Sequence, residues 1–160
     1  MQVTERSHYD HLSCRMRRLF LEPEASYPIP AAARLLGMKV RELREWIGSG
    51  EIESTGSGDS QRLPWSEVAA MAMEVWPQEE LEQALGDEVT RVMPELVRLA
   101  ELHVRVPRFE VVGMERLAAR EGASVDDLVS RQLLDAVSAE GEWLIATVPG
   151  FGEALQWPVT

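Results

Sequence analysis

Only one cysteine, Cys14, occurs in 160 residues. One thiol cannot build an internal disulfide framework, and such usage fits a reducing cytosol. No apolar run approaches the ~18 residues of a membrane span, so no membrane partner is expected. The opening residues, MQVTERSHYDHLSCRMRRLF, contain no apolar h-region, so a secretory signal is not expected and a cytoplasmic location is. The chain also lacks a Gly-rich phosphate loop, a nucleophile elbow, paired cysteines and a His-rich metal motif. Its carboxylates fall at the spacing of helix surfaces. The expectation is therefore no enzyme, no catalytic residue, no cofactor and no metal. His8, His11 and Cys14 sit three apart and share one side of a helix, but no second cluster supplies closing ligands. The same segment reads more simply as a helix burying Leu12, Met16, Leu19 and Phe20, with Arg15, Arg17 and Arg18 as a solvated basic patch.

Positive charge is scarce as well. Sixteen Lys and Arg face 27 Asp and Glu, for a formal net charge of -11. That balance argues against non-specific polyanion binding, although local patches matter more than the total. Acid concentrates in residues 77–100, which hold two basic and six acidic side chains, whereas residues 1–26 are balanced. Hydrophobic content of 45% suffices for a core.

The pattern from Leu102 to Leu134 carries most information. Leu102-His103-Val104-Arg105-Val106 alternates like a strand and is stopped by Pro107. Two amphipathic helices follow, parted by Glu121-Gly122-Ala123-Ser124. A lone strand leaves its backbone edges unpaired, so a second copy is the natural partner. Pairing would set His103 and Arg105 on one face, and a two-stranded ribbon fits the DNA major groove. This stretch resembles the ribbon-helix-helix repressors of the Arc and MetJ kind. The resemblance implies an obligate dimer through a short intermolecular β-ribbon, with Glu101, His103 and Arg105 touching bases. It also implies that Ser124 and Val125, at the start of the second helix, offer backbone N–H groups to a phosphate.

A second module lies upstream. Pro30 suits a first helical turn, Ala31 to Leu36 favour helix, and Gly37 supplies a left-handed stop. Val40 to Ile47 follow as a helix with Val40, Leu43, Trp46 and Ile47 on its apolar side, stopped by Gly48 and Gly50. Glu51 to Leu63 reads as a loose hairpin with Gly56, Gly58 and Asp59 at its tip. Ser66 is expected to cap a third helix through Val68, Met71 and Val75. This stretch resembles the winged helix-turn-helix of the MerR and excisionase-like families. The resemblance implies that Val40 to Ile47 is a recognition helix, with Lys39, Arg41 and Arg44 facing DNA and Arg62 touching phosphate from the wing. The long coiled coil and metal-sensing cysteine of MerR regulators are missing, so metal or drug sensing is not carried over.

The expected architecture is mostly α: a helical segment (1–26), a winged helix-turn-helix (27–76), a helical connector (77–100), a ribbon-helix-helix unit (101–140) and an apolar tail (141–160). In the connector, Leu81, Leu85, Val89 and Val92 recur at helical spacing until Pro94. The tail holds Trp143, Leu144, Phe151, Leu155 and Trp157 among pliant glycines, and either packs on the body or covers a partner. It resembles the toxin-blocking segment of bacterial antitoxins. The expected function is a sequence-specific transcriptional repressor of the antitoxin sort, partnered by its own operator DNA, by itself as a homodimer and by a cognate toxin. The alternatives are an excisionase-like or partition accessory DNA-binding protein, and a dimeric interaction scaffold that binds no DNA.

Overall fold

The computed structural model describes residues 2–158, with side-chain surroundings given from residue 11 onward. The chain is mostly helical with one small two-stranded antiparallel sheet. It divides into two compact units: Met1–Leu99 with Glu153–Thr160, and Ala100–Gly152.

The first unit begins with α1 (Gln2–Leu21) and a short strand β1 (Ser26–Pro28). Next come α2 (Ile29–Leu36) and α3 (Val40–Ser49), joined through Gly37 at φ 75°. Only glycine adopts that left-handed turn without a Cβ penalty, so the short link from α2 to α3 depends on it. Strand β2 (Arg62–Pro64) pairs with β1 in the register Tyr27 opposite Leu63. Helix α4 (Trp65–Val75), α5 (Gln78–Leu85) and the single turn α6 (Val89–Val92) complete this unit, with 3₁₀ turns at Gly86–Glu88 and Glu95–Val97.

Leu19, Leu43, Leu63, Leu81 and Val68 are completely buried in one continuous core. Each such side chain removed from water contributes about 1.5–3 kcal/mol. Met16, Leu19 and Phe20 are buried as the helical spacing of α1 predicts, and Leu12 is half-buried beside them. Trp76 is buried, while Trp46 and Trp65 are half-buried against the same core. Helix ends are closed by side chains. Trp65 Nε1 donates to Leu19 O (2.9 Å) at the end of α1, and Arg17 donates to Ala84 O (2.9 Å) at the end of α5. Both satisfy carbonyls that a helix terminus leaves unpaired.

Several expected details change. Gly48 lies inside α3, and Gly50 alone stops it, at φ 80°. Helix α4 starts at Trp65 after Pro64 rather than at a Ser66 cap, because Pro64 already fixes the entry geometry. Within the loop from Glu51 the pairing is one bridge, Thr55 with Arg62, and β2 pairs chiefly with β1. The expected connector is broken at Gly86, whose φ of 56° and ψ of -132° suit glycine. It also packs: Leu81, Leu85 and Met93 lie in the core that holds α1 and α2.

The second unit contains α7 (Arg108–Glu121), α8 (Val125–Ala139) and α9 (Gly141–Thr147). Gly122, at φ 68°, ends α7, and Ser124 caps α8. Residues 101–107 form no strand within the single chain. Only Ala118 and Leu128 are buried in this unit. The tail is largely helical, in α9 and in α10 (Phe151–Gln156).

Candidate nucleic-acid interface

The recognition candidates on α3 point into solvent. Lys39, at the N-cap of α3, and Arg41 and Arg44 within it are all exposed, whereas Leu43 is buried. The backbone N–H of Lys39 donates to Glu42 Oε2 (3.1 Å), so this carboxylate closes the first turn of α3. Arg41 pairs with Glu45 at 3.2 Å, with both side chains largely exposed. An exposed i,i+4 pair of this sort contributes less than about 1 kcal/mol and opens easily to a competing anion.

Arg62 is placed differently from the wing contact that the resemblance implies. Its Nε donates to Ser26 Oγ (2.8 Å) and its Nη2 to Ser26 O (2.6 Å). The guanidinium is thus half-buried and ties β2 to β1. A planar fork with several donors suits such a bridge.

In the second unit Glu101, His103 and Arg105 are all exposed. Glu101 Oε2 and His103 Nε2 lie 3.2 Å apart, as side chains two apart on extended backbone can. The intervening apolar side chains are open as well: Leu102 is 66% exposed and Val104 65%. Phe109, on the first turn of α7, is 73% exposed. Leu133, Leu134 and Val137 form a further exposed apolar set on α8 that was not singled out from the sequence. Their i, i+1, i+4 spacing was the available signal.

At the start of α8 the donors of Ser124 and Asp127 are engaged from within. Asp127 Oδ2 accepts from Ser124 Oγ (2.6 Å) and from Ser124 N (3.2 Å), and Asp127 N donates back to Ser124 Oγ (3.0 Å). The Ser124 hydroxyl, then its backbone N–H, holds the Asp127 carboxyl below the usual aspartate range. Asp126 also lies in this first turn. The Ser124 amide assigned to a phosphate therefore already meets a carboxylate, whereas the Val125 side chain is half-buried.

The tail residues separate by environment. Trp143 is 62% and Leu155 56% exposed, while Leu144 and Phe151 are half-buried. Trp157 stacks on Phe20, with ring centroids 5.7 Å apart and planes at 19°. Of the metal candidates, His8 lies outside the residues with described side chains, and His11 and Cys14 are exposed. Among the described residues no group of three His, Cys, Asp or Glu side chains gathers to hold a metal ion. Among the described residues no helix is long and apolar enough to cross a membrane. Comparison with family models, curated proteins and solved structures gives no match to this chain.

Proposed function

We propose that the protein is a dimeric, sequence-specific DNA-binding repressor acting on its own operator. The observation that carries this reading is the bare alternation from Glu101 to Val106. Its apolar side chains, Leu102, Val104 and Val106, stand in water in the single chain, and so do its polar ones. A second copy pairing strand to strand would bury the first set against α7 and α8. It would leave Glu101, His103 and Arg105 together on the outer face. Exposed Lys39, Arg41 and Arg44 on α3 would add a flanking contact. Linked weak modules gain through effective concentration.

Fluorescence anisotropy with the protein's own upstream DNA tests the proposal, across a salt series and against a scrambled duplex. Selective binding that weakens steeply with salt is expected, because phosphate contacts release counterions. Arg105→Ala should cost about 1–3 kcal/mol of discrimination and leave the dimer intact. Unchanged affinity and selectivity in that variant would sink base reading by the ribbon.

The antitoxin role rests on the exposed part of the tail. Trp143 and Leu155 are the residues offered to a partner, and Trp157 is already engaged with Phe20. The double variant Trp143→Ala, Leu155→Ala should abolish capture of a protein encoded beside this chain while DNA affinity stays within twofold, roughly 0.4 kcal/mol. Retained capture would remove the tail from that interface.

A second reading is a dimeric scaffold that binds protein through α3. The Arg41–Glu45 pair and the net charge of -11 favour it. Absence of DNA binding at low salt, with a stoichiometric protein complex, would select it.

A further inference from the structure

Helices α1 and α2 flank a half-open cavity of about 290 Å³ in the first unit. Its charged lining is unusual for so acidic a chain. Arg15, Arg18 and Arg34 all face it, and among the described residues Glu24 is the one carboxylate that does. Arg18 reaches Glu24 only at 3.4 Å, with both side chains at least half exposed. Arg15 Nη1 makes a long 3.5 Å contact to Arg34 O. None of these contacts uses more than a fraction of the donors that three guanidinium forks present. Like charges gathered this way repel one another unless an anion joins them. The rest of the lining is His11 and Cys14 of α1 together with an apolar part, Tyr27, which is buried, Ala31 and Leu35.

We infer that this cavity binds a small organic anion with an apolar body, its carboxylate or phosphate head held by Arg15, Arg18 and Arg34 and its body against Tyr27, Ala31 and Leu35. Planar guanidinium groups bind both head groups in bidentate fashion. The volume sits at the small end of ligand pockets, which suits a single ring or a short chain. Such a ligand would bridge α1 to α2 and stabilise the unit by mass action. It would sit one helix away from α3, since α2 leads into it through the Gly37 turn. The binding itself stands independently of any role for α3 on DNA.

Cys14 lines the same cavity and is the chain's one thiol, so it reports occupancy directly. The full-length protein is treated with an uncharged maleimide at constant ionic strength, alone and with benzoate, phenyl phosphate, inorganic phosphate, benzamide or benzylamine. Melting temperature is followed in parallel. Benzoate or phenyl phosphate should slow Cys14 modification in a saturable way and raise the melting temperature, whereas neutral benzamide and cationic benzylamine should do neither. The stronger of the two anions identifies the preferred head group. Arg34→Gln should weaken the protecting anion by about tenfold or more, the loss expected for a charge-assisted hydrogen bond. Ala31→Leu, which keeps every charge and fills the floor, should abolish protection. Equal effects of benzamide and benzoate would overturn the anion assignment. Inorganic phosphate matching phenyl phosphate would overturn the apolar subsite. Absence of protection by either organic anion, or protection unchanged in both variants, would overturn the site altogether.

Discussion

Arg62 and Ser124 illustrate how single residues acquire their work from neighbours. Each was expected to meet phosphate. Arg62 instead spends its Nε and Nη2 donors on Ser26, because β2 lies against β1 and the fork reaches across. Ser124 spends its hydroxyl and amide on Asp127 three residues on, the spacing of a capping box. That pairing has a pH signature. Asp127 has a folded pKa below its ordinary value, so it contributes stability above the ordinary carboxylate range, and this is lost as pH falls through the folded value. Helix content followed by circular dichroism should therefore decline on acidification below about pH 4. Ser124→Ala should cost about 1 kcal/mol at neutral pH. In that variant, NMR titration should find Asp127 returned upward toward an ordinary aspartate. A titration midpoint unchanged by Ser124→Ala would show that the hydroxyl is not the cause.

At the scale of elements, α5 is the instructive case. The periodicity of Leu81 and Leu85 identified a helix, but not what it packs on. Leu81 and Leu85 are buried in the core shared with α1, and Arg17 of α1 donates to the carbonyls of Ala84 and Leu85. Gln78 and Glu82 fasten the following segment, through Gln78 to Val97 O and Leu99 N to Glu82 Oε1 (2.7 Å). Helix α5 is thus part of the body that supports α2 and α3. Leu81→Ala should destabilise the whole first unit by about 2–5 kcal/mol. Chemical denaturation followed by tryptophan fluorescence would measure it, since Trp46, Trp65 and Trp76 all report on that core. A loss confined to a small fraying step would return α5 to the status of a connector.

For the whole molecule, the contrast between the two units decides what to expect. Among the described residues the first has twenty buried hydrophobic side chains in one cluster, whereas the second buries only Ala118 and Leu128. So few buried side chains cannot offset the conformational entropy of ordering three helices. Under the dimer proposal the missing burial comes from a second copy, so the melting temperature should rise with protein concentration. Val104→Asp should abolish that dependence, and sedimentation should then find a monomer with the first unit still folded. A concentration-independent melt of the native chain would overturn the dimer.

The local sequence determined the helices and most of their ends. Gly37, Gly50 and Gly122 mark left-handed stops, Pro107 precedes α7, and the 3.6-residue spacing of apolar side chains fixes which face of α1 and α3 turns inward. These features depend on backbone sterics and on neighbours within one or two turns, so they can be read from order alone. The candidate readers Lys39, Arg41, Arg44, His103 and Arg105 were likewise legible as exposed side chains, because charged groups on a polar face stay in water. Long-range packing decided the remainder. It drew residues 77–99 into the first core, committed Arg62 to Ser26, stacked Trp157 on Phe20 and gathered Arg15, Arg18 and Arg34 around one cavity. Those partners stand from three to more than a hundred positions apart, and only the closure of the chain around a shared apolar core selects them.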